Sequence, residues 1–137
     1  MTEAEVFEQM VEYQMITLTG LSVFVTLISA YIVAIWAFLR HAGLGLRVFT
    51  FFFLTVVIAF LGQFLYGSQE VHNGMIATLA EIDQTIGLSP AGQAALDNAS
   101  TGLDGLLQQI MGFSLLVTYL ALFFLTFFAR STLTPKA

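Results

Sequence analysis

The sequence predicts an all-α fold: an integral membrane three-helix bundle with helical extracytoplasmic extensions and a short amphipathic helix in the second loop. Two observations predict it. The 137-residue chain is 58% apolar and 9% charged, whereas soluble domains average about 45–50% apolar and about 25% charged residues. Its few charged residues leave three long uncharged runs, each sufficient to cross a bilayer core about 30 Å thick. We therefore treat residues 1–137 as a single three-span membrane domain.

The uncharged runs predict membrane spans at about 14–39, 48–67 and 106–129, with a long loop at about 68–105 between the second and third. Lipid offers no water to backbone N–H and C=O groups, so each span must be a helix even where its composition would favour a strand in water. The N-terminal segment has glutamates instead of the positive start of a signal peptide. We therefore expect the first span to be retained.

The first helix is predicted to begin at Thr2, because Thr is a good N-cap and carboxylates such as Glu3 and Glu5 favour the positive end of the helix dipole. No helix breaker follows before position 41. A helix of that length would measure about 58 Å at 1.5 Å per residue, so its first turns should project into water. Gly43 and Gly45 then predict a tight turn, which makes the first two spans antiparallel neighbours.

The second loop contains apolar residues at helical spacing, which predict its short amphipathic helix: Met75, Ile76, Leu79, Ile82 and Ile86. The polar face of this segment lacks the Lys and Arg of membrane-surface helices. Packing against the projecting helices is therefore favoured over a position on the outer membrane surface. Ser89 and Pro90 predict the start of the next helix. That helix either continues into the third span or is interrupted near Gly102 and Gly105.

The topology is predicted by the basic residues, which all flank one end of the bundle: Arg40, Arg47, Arg130 and Lys136. The acidic residues precede the first span or lie in the second loop. Because Lys and Arg mark cytoplasmic loops, we expect an extracytoplasmic N-terminus and second loop and a cytoplasmic C-terminus, in the inner membrane of a bacterium. The net charge of −5 argues against nucleic acid as a partner, since phosphate binding needs a basic surface.

Small side chains recur every fourth residue along one face of the first span and predict a helix-packing interface: Ser22, Thr26, Ala30 and Ala34. Small residues let two helix backbones approach closely, as in small-xxx-small pairs within membranes. This face has two possible partners. It contacts either another protein chain, in a homo-oligomer or with a partner subunit, or the second or third span of the same chain.

Amide and imidazole groups are the other candidates for specific contacts. Gln63, Gln108 and Gln109 lie near membrane depth, and we expect them to form polar contacts between helices rather than a quinone or polar-substrate site. His41 and His72 are predicted on opposite sides of the membrane, so they cannot share a metal within one chain. Since the chain also lacks cysteine, we expect no cofactor and no metal.

The predicted spans contain no Asp, Glu, Lys, Arg or His, the groups that pumps and proton relays place at membrane depth. The first hypothesis is therefore a non-catalytic membrane protein that self-assembles or serves as an accessory or scaffold subunit. An oligomeric pore, lined by the Ser and Thr hydroxyls of the first span, is the second. The third is a small subunit that holds quinone, pigment or lipid against Phe-rich spans. The expected partners are membrane lipid and either a second copy of the chain or a partner membrane subunit.

Overall fold

The computed structural model describes residues 1–128, without the side chains of residues 103 and 104. The described residues form four α-helices and one short 3₁₀ helix: α1 (Glu3–Ala37), the 3₁₀ helix (Leu39–His41), α2 (Leu44–Thr85), α3 (Pro90–Ser100) and α4 (Leu103–Phe128). Three helices are long and apolar enough to cross a membrane: α1, α2 and the segment Gly105–Phe128 of α4. The predicted all-helical fold with three candidate spans is confirmed at this level.

The start of α1 follows from the capping residues found in the sequence. The Thr2 hydroxyl accepts a hydrogen bond from the Glu5 amide at 3.3 Å, and the Glu5 carboxylate accepts one from the Thr2 amide at 2.7 Å. This reciprocal pair is a capping box. The helix ends at Ala37, somewhat before the predicted position, and the 3₁₀ helix leads to the N-cap of α2 at Gly43.

Helices α1 and α2 form an antiparallel hairpin held by two separate hydrophobic cores. The link-end core lies beside the 3₁₀ helix and includes α4: Tyr31, Ile35, Leu39, Phe51, Leu54, Ile58 and Leu122. The acidic-end core joins the start of α1 to the end of α2: Val6, Met10, Met75, Leu79 and Ile82. Neither α1 between Met10 and Tyr31 nor α2 between Ile58 and Met75 has a buried residue. The middle of the hairpin is therefore loosely packed.

The predicted amphipathic segment does not form a helix of its own, because α2 continues without interruption to Thr85. At 1.5 Å per residue, the 42 residues of α2 extend for about 63 Å, roughly twice the thickness of a bilayer core. The apolar residues of its last turns bury against Val6 and Met10. Gly87, with a φ of 77°, follows the end of α2 and allows the chain to turn into α3.

Helix α3 is a separate short helix that covers the acidic-end core. Ser89 caps it by accepting a hydrogen bond from the Gly92 amide at 3.2 Å, and Pro90 occupies its first turn. Ala95 and Leu96 pack against the acidic-end core. Gly102, with a φ of 72°, separates α3 from α4. Of the two expectations for this region, the interruption near Gly102 is the one observed.

Shortening a side chain of the acidic-end core should destabilise the paired ends of α1 and α2. Leu79 is fully buried, so Leu79→Ala is expected to lower the free energy of unfolding by about 2–5 kcal/mol. Ile86 lies just beyond α2 and is 84% exposed. The control Ile86→Ala should change stability by less than about 0.5 kcal/mol. Denaturant titration in detergent micelles measures both, and equal effects would contradict the assignment of this core.

Candidate functional site

The small-residue face of α1, defined by Ser22, Thr26, Ala30 and Ala34, is the candidate site. Ser22, Thr26 and Ala30 are exposed, whereas Ala34 is half-buried and packs against the link-end core. The chain's own contacts use another face of α1, which carries Phe24, Leu27, Ile28, Tyr31 and Ile35. Neither α2 nor α4 therefore covers Ser22, Thr26 or Ala30.

Two hydroxyl groups on or beside this face donate to carbonyl oxygens within α1 itself. Thr26 donates to the carbonyl oxygen of Ser22 at 2.9 Å, and Ser29 donates to that of Val25 at 2.8 Å. A hydroxyl bonded in this way does not need water or a second helix as partner. Because its side chains are short, this face is suited both to contact with lipid and to close contact with another helix.

The three glutamines proposed as contacts between helices are all exposed: Gln63, Gln108 and Gln109. Within residues 1–128, none of them forms a hydrogen bond to another helix. Cross-helix hydrogen bonds come instead from hydroxyl pairs that link α4 to the hairpin. The hydroxyl oxygens of Tyr31 and Thr126 are 3.0 Å apart, and so are those of Thr55 and Tyr119.

These hydroxyl residues escaped the sequence analysis because each lies inside an apolar run. The period of a uniformly apolar helix does not reveal which side faces a neighbour, so a single Tyr or Thr gives no indication of its partner. Tyr119 and Thr126 lie among the aromatic residues of α4 in the sequence. This clustering was the available indication that they take part in a contact between helices. Phe51 packs edge-on against Phe123 and Phe127, with ring centroids 5.4 and 5.6 Å away.

Arg47 joins three elements at the link end. Only 4% of it is exposed. One guanidinium nitrogen donates to the Thr126 carbonyl oxygen at 3.2 Å, and another donates to the Arg40 carbonyl oxygen at 2.7 Å. The Thr126 carbonyl belongs to the last described turn of α4. Arg47, selected from the sequence as a topology determinant, therefore also connects α2, the 3₁₀ helix and α4.

The other basic residues of the topology prediction divide into two groups. Arg40 donates from Nε to the ring nitrogen of His41 at 2.8 Å, and its guanidinium lies 5.6 Å from the ring centroid of Trp36. Such a cation–π contact is suited to the membrane–water interface, where Trp is common. Arg130 and Lys136 lie outside the described residues.

The opposite end of the molecule is organised by Glu3. Its carboxylate accepts a short hydrogen bond from the Ser89 hydroxyl and a second from the Ser89 amide at 3.1 Å. Gly92 is buried beneath it, and a Cβ there would collide with the Glu3 carboxylate. The bond from the Ser89 hydroxyl, followed by that from its amide, lowers the pKa of Glu3. The first turn of α1 thus fastens the start of α3.

The described residues offer no cluster of three or more potential metal ligands. His41 lies beside Arg40 at the link end, whereas His72 stacks on Tyr13 near the acidic end, with ring centroids 5.3 Å apart. The two histidines are therefore at different ends of the hairpin.

Comparison with protein-family models, with curated proteins and with solved structures gives no match to this chain.

Removing the guanidinium of Arg47 should loosen α4. Arg47→Met leaves the buried Thr126 carbonyl without this donor, which should cost about 1–3 kcal/mol of unfolding free energy in detergent micelles. Arg40→Met removes the same charge, but the Arg40 carbonyl that binds Arg47 belongs to the backbone and remains. This control should cost less than about 1 kcal/mol. A loss from Arg40→Met as large as that from Arg47→Met would show that net charge, rather than the buried contact, stabilises this end.

Acidification should release α3 from α1. Because the folded pKa of Glu3 is lowered, the hydrogen bonds from Ser89 to the Glu3 carboxylate stabilise the fold above the ordinary carboxyl pKa of about 4.3. This stabilisation is lost as the pH falls through the lower, folded pKa. Amide chemical shifts of Ser89 and Gly92 should titrate with a midpoint below the ordinary value. Glu3→Gln should abolish this titration and Glu8→Gln should leave it intact; the opposite pattern would assign the titration to another carboxylate.

Proposed function

We propose that this protein is a non-catalytic integral membrane protein that acts by self-assembly, or as an accessory subunit on a membrane partner, through the small-residue face of α1. The observation that carries this proposal is the exposure of Ser22, Thr26 and Ala30. Within residues 1–128, no other helix covers these three positions. Residues with small side chains at four-residue spacing are the pattern with which membrane helices pair most closely.

The chemistry of the spans supports a non-catalytic role. The segments 13–39, 48–69 and 105–128 carry no Asp, Glu, Lys, Arg or His. Proton relays and coupled transporters depend on such groups at membrane depth. The polar groups at that depth in the described chain include the hydroxyls of Tyr31, Thr55, Tyr119 and Thr126, which hydrogen-bond to each other in pairs. These pairs hold helices together.

The proposed orientation places the acidic end outside and the link end in the cytoplasm of a bacterium. Arg40 and Arg47 lie at the link end, and Lys and Arg are retained on the cytoplasmic side. The long α2 supports extracytoplasmic extensions, because its length exceeds the bilayer core by roughly 30 Å. In this orientation, the acidic-end core and α3 form a small helical platform outside the membrane.

Bulky residues on the small-residue face should prevent assembly. The triple variant Ser22→Leu, Thr26→Leu, Ala30→Leu keeps helix backbones apart, so we expect its dissociation constant to rise by at least about tenfold. Size-exclusion chromatography with light scattering in mild detergent, over a range of protein concentrations, measures this constant.

A matched control places the same kind of change on exposed small residues of α4: Gly112→Leu, Ser114→Leu and Ala121→Leu. This variant should assemble as the wild type does. A wild-type chain that stays monomeric throughout would refute self-assembly, and equal weakening by both triple variants would refute the assignment of the interface to α1. Unitary currents from the wild type in planar bilayers would favour the alternative of an oligomeric pore.

A further inference from the structure

An apolar cleft of about 390 Å³ opens between α1 and α2 in the loosely packed middle of the hairpin. Its walls include Ile16 and Val23 from α1 and Phe60 and Phe64 from α2. Gly20 forms part of the wall without a side chain, and a Cβ there would lie 3.8 Å from the Phe64 ring. The cleft is open along its length, because wall residues such as Ile16 and Phe60 are exposed.

The cleft runs along α1 from Glu12 to Val23. At 1.5 Å per residue this distance is roughly 16 Å, about half of a bilayer core. Glu12 is the last charged residue before the uncharged run, so it marks the boundary between hydrocarbon and head groups. The cleft therefore has the depth of the hydrocarbon in one leaflet, and it opens towards the acidic end of the molecule.

Glu12, at the end of the cleft, also belongs to an exposed acidic face of α1 that carries Glu5, Glu8 and Gln9. Within residues 1–128, neither Glu8 nor Glu12 has an ion-pair partner. The described basic residues, Arg40 and Arg47, lie at the link end of the hairpin, at the other end of α1. The apolar cleft thus ends beside carboxylates that have no ion-pair partner.

We propose that the cleft binds one acyl chain of an amine-bearing phospholipid from the leaflet on the acidic side. The acyl chain lies along the apolar cleft, where its contacts take the place of direct packing between α1 and α2. The ammonium of the head group lies against the carboxylates of Glu8 and Glu12, and the amide of Gln9 is available as a donor to the phosphate. An anionic lipid would bring like charges together at the same place.

Native mass spectrometry of the detergent-solubilised full chain tests this with two single-tail probes of equal chain length. Lysophosphatidylethanolamine should bind about two- to fivefold more tightly than lysophosphatidylglycerol, the ratio expected from one exposed charge pair. Glu12→Gln should lower this ratio, because it removes one of the two carboxylates that face the ammonium. Glu81→Gln, which makes the same charge change at an exposed site on α2, should leave it unchanged.

Filling the cleft tests the acyl site separately. Gly20→Leu should reduce the binding of both probes by at least about tenfold, whereas Gly112→Leu on exposed α4 should not. Gly20→Ala, which introduces only an ordinary contact, should fold and bind like the wild type, so loss of fold can be told from loss of site. Equal affinity for the two probes, or undiminished binding by Gly20→Leu, overturns the proposal. A change of oligomer size in Gly20→Leu without loss of probe binding assigns the cleft to a second copy.

Discussion

The burial of the Arg47 guanidinium is the interaction on which the link end depends. A charge enclosed by protein near lipid needs partners inside the chain. Here the backbone carbonyls of Arg40 and Thr126 accept from its two terminal nitrogens, whereas its buried Nε has no hydrogen-bond partner within residues 1–128. The two bonds connect the turn between α1 and α2 to α4. The hydroxyl pairs of Tyr31 with Thr126 and of Thr55 with Tyr119 then set the rotation of α4 against the hairpin.

The contrast between the two ends of the hairpin explains its open middle. Large side chains and polar anchors concentrate at the link end, and the acidic end has its own core beneath α3. Between them, residues 11–30 of α1 and 59–74 of α2 contain no buried side chain. In lipid this costs little, because hydrocarbon tails pack against apolar side chains nearly as well as another helix does. The cleft and the small-residue face both result from the small number of contacts between helices in this part of the chain.

Length and composition were sufficient to predict an all-helical chain with three candidate spans, because the requirement to satisfy backbone hydrogen bonds leaves few alternatives. The capping residues Thr2 and Ser89 also predicted helix starts correctly. The continuation of α2 to Thr85 was not predicted, since the polar residues after Tyr66 resemble a loop until their contact with α1 is known. Contacts of Arg47 and of the hydroxyl pairs depend on the rotation of each helix, which a uniformly apolar sequence leaves undetermined.

The unbroken course of α2 has a mechanical consequence. Leu54 and Leu79 belong to different cores, yet they lie on one helix without an interruption between them. A shift of this helix along its axis would therefore displace side chains in both cores. The packing of the link end and that of the acidic end beneath α3 are coupled through α2.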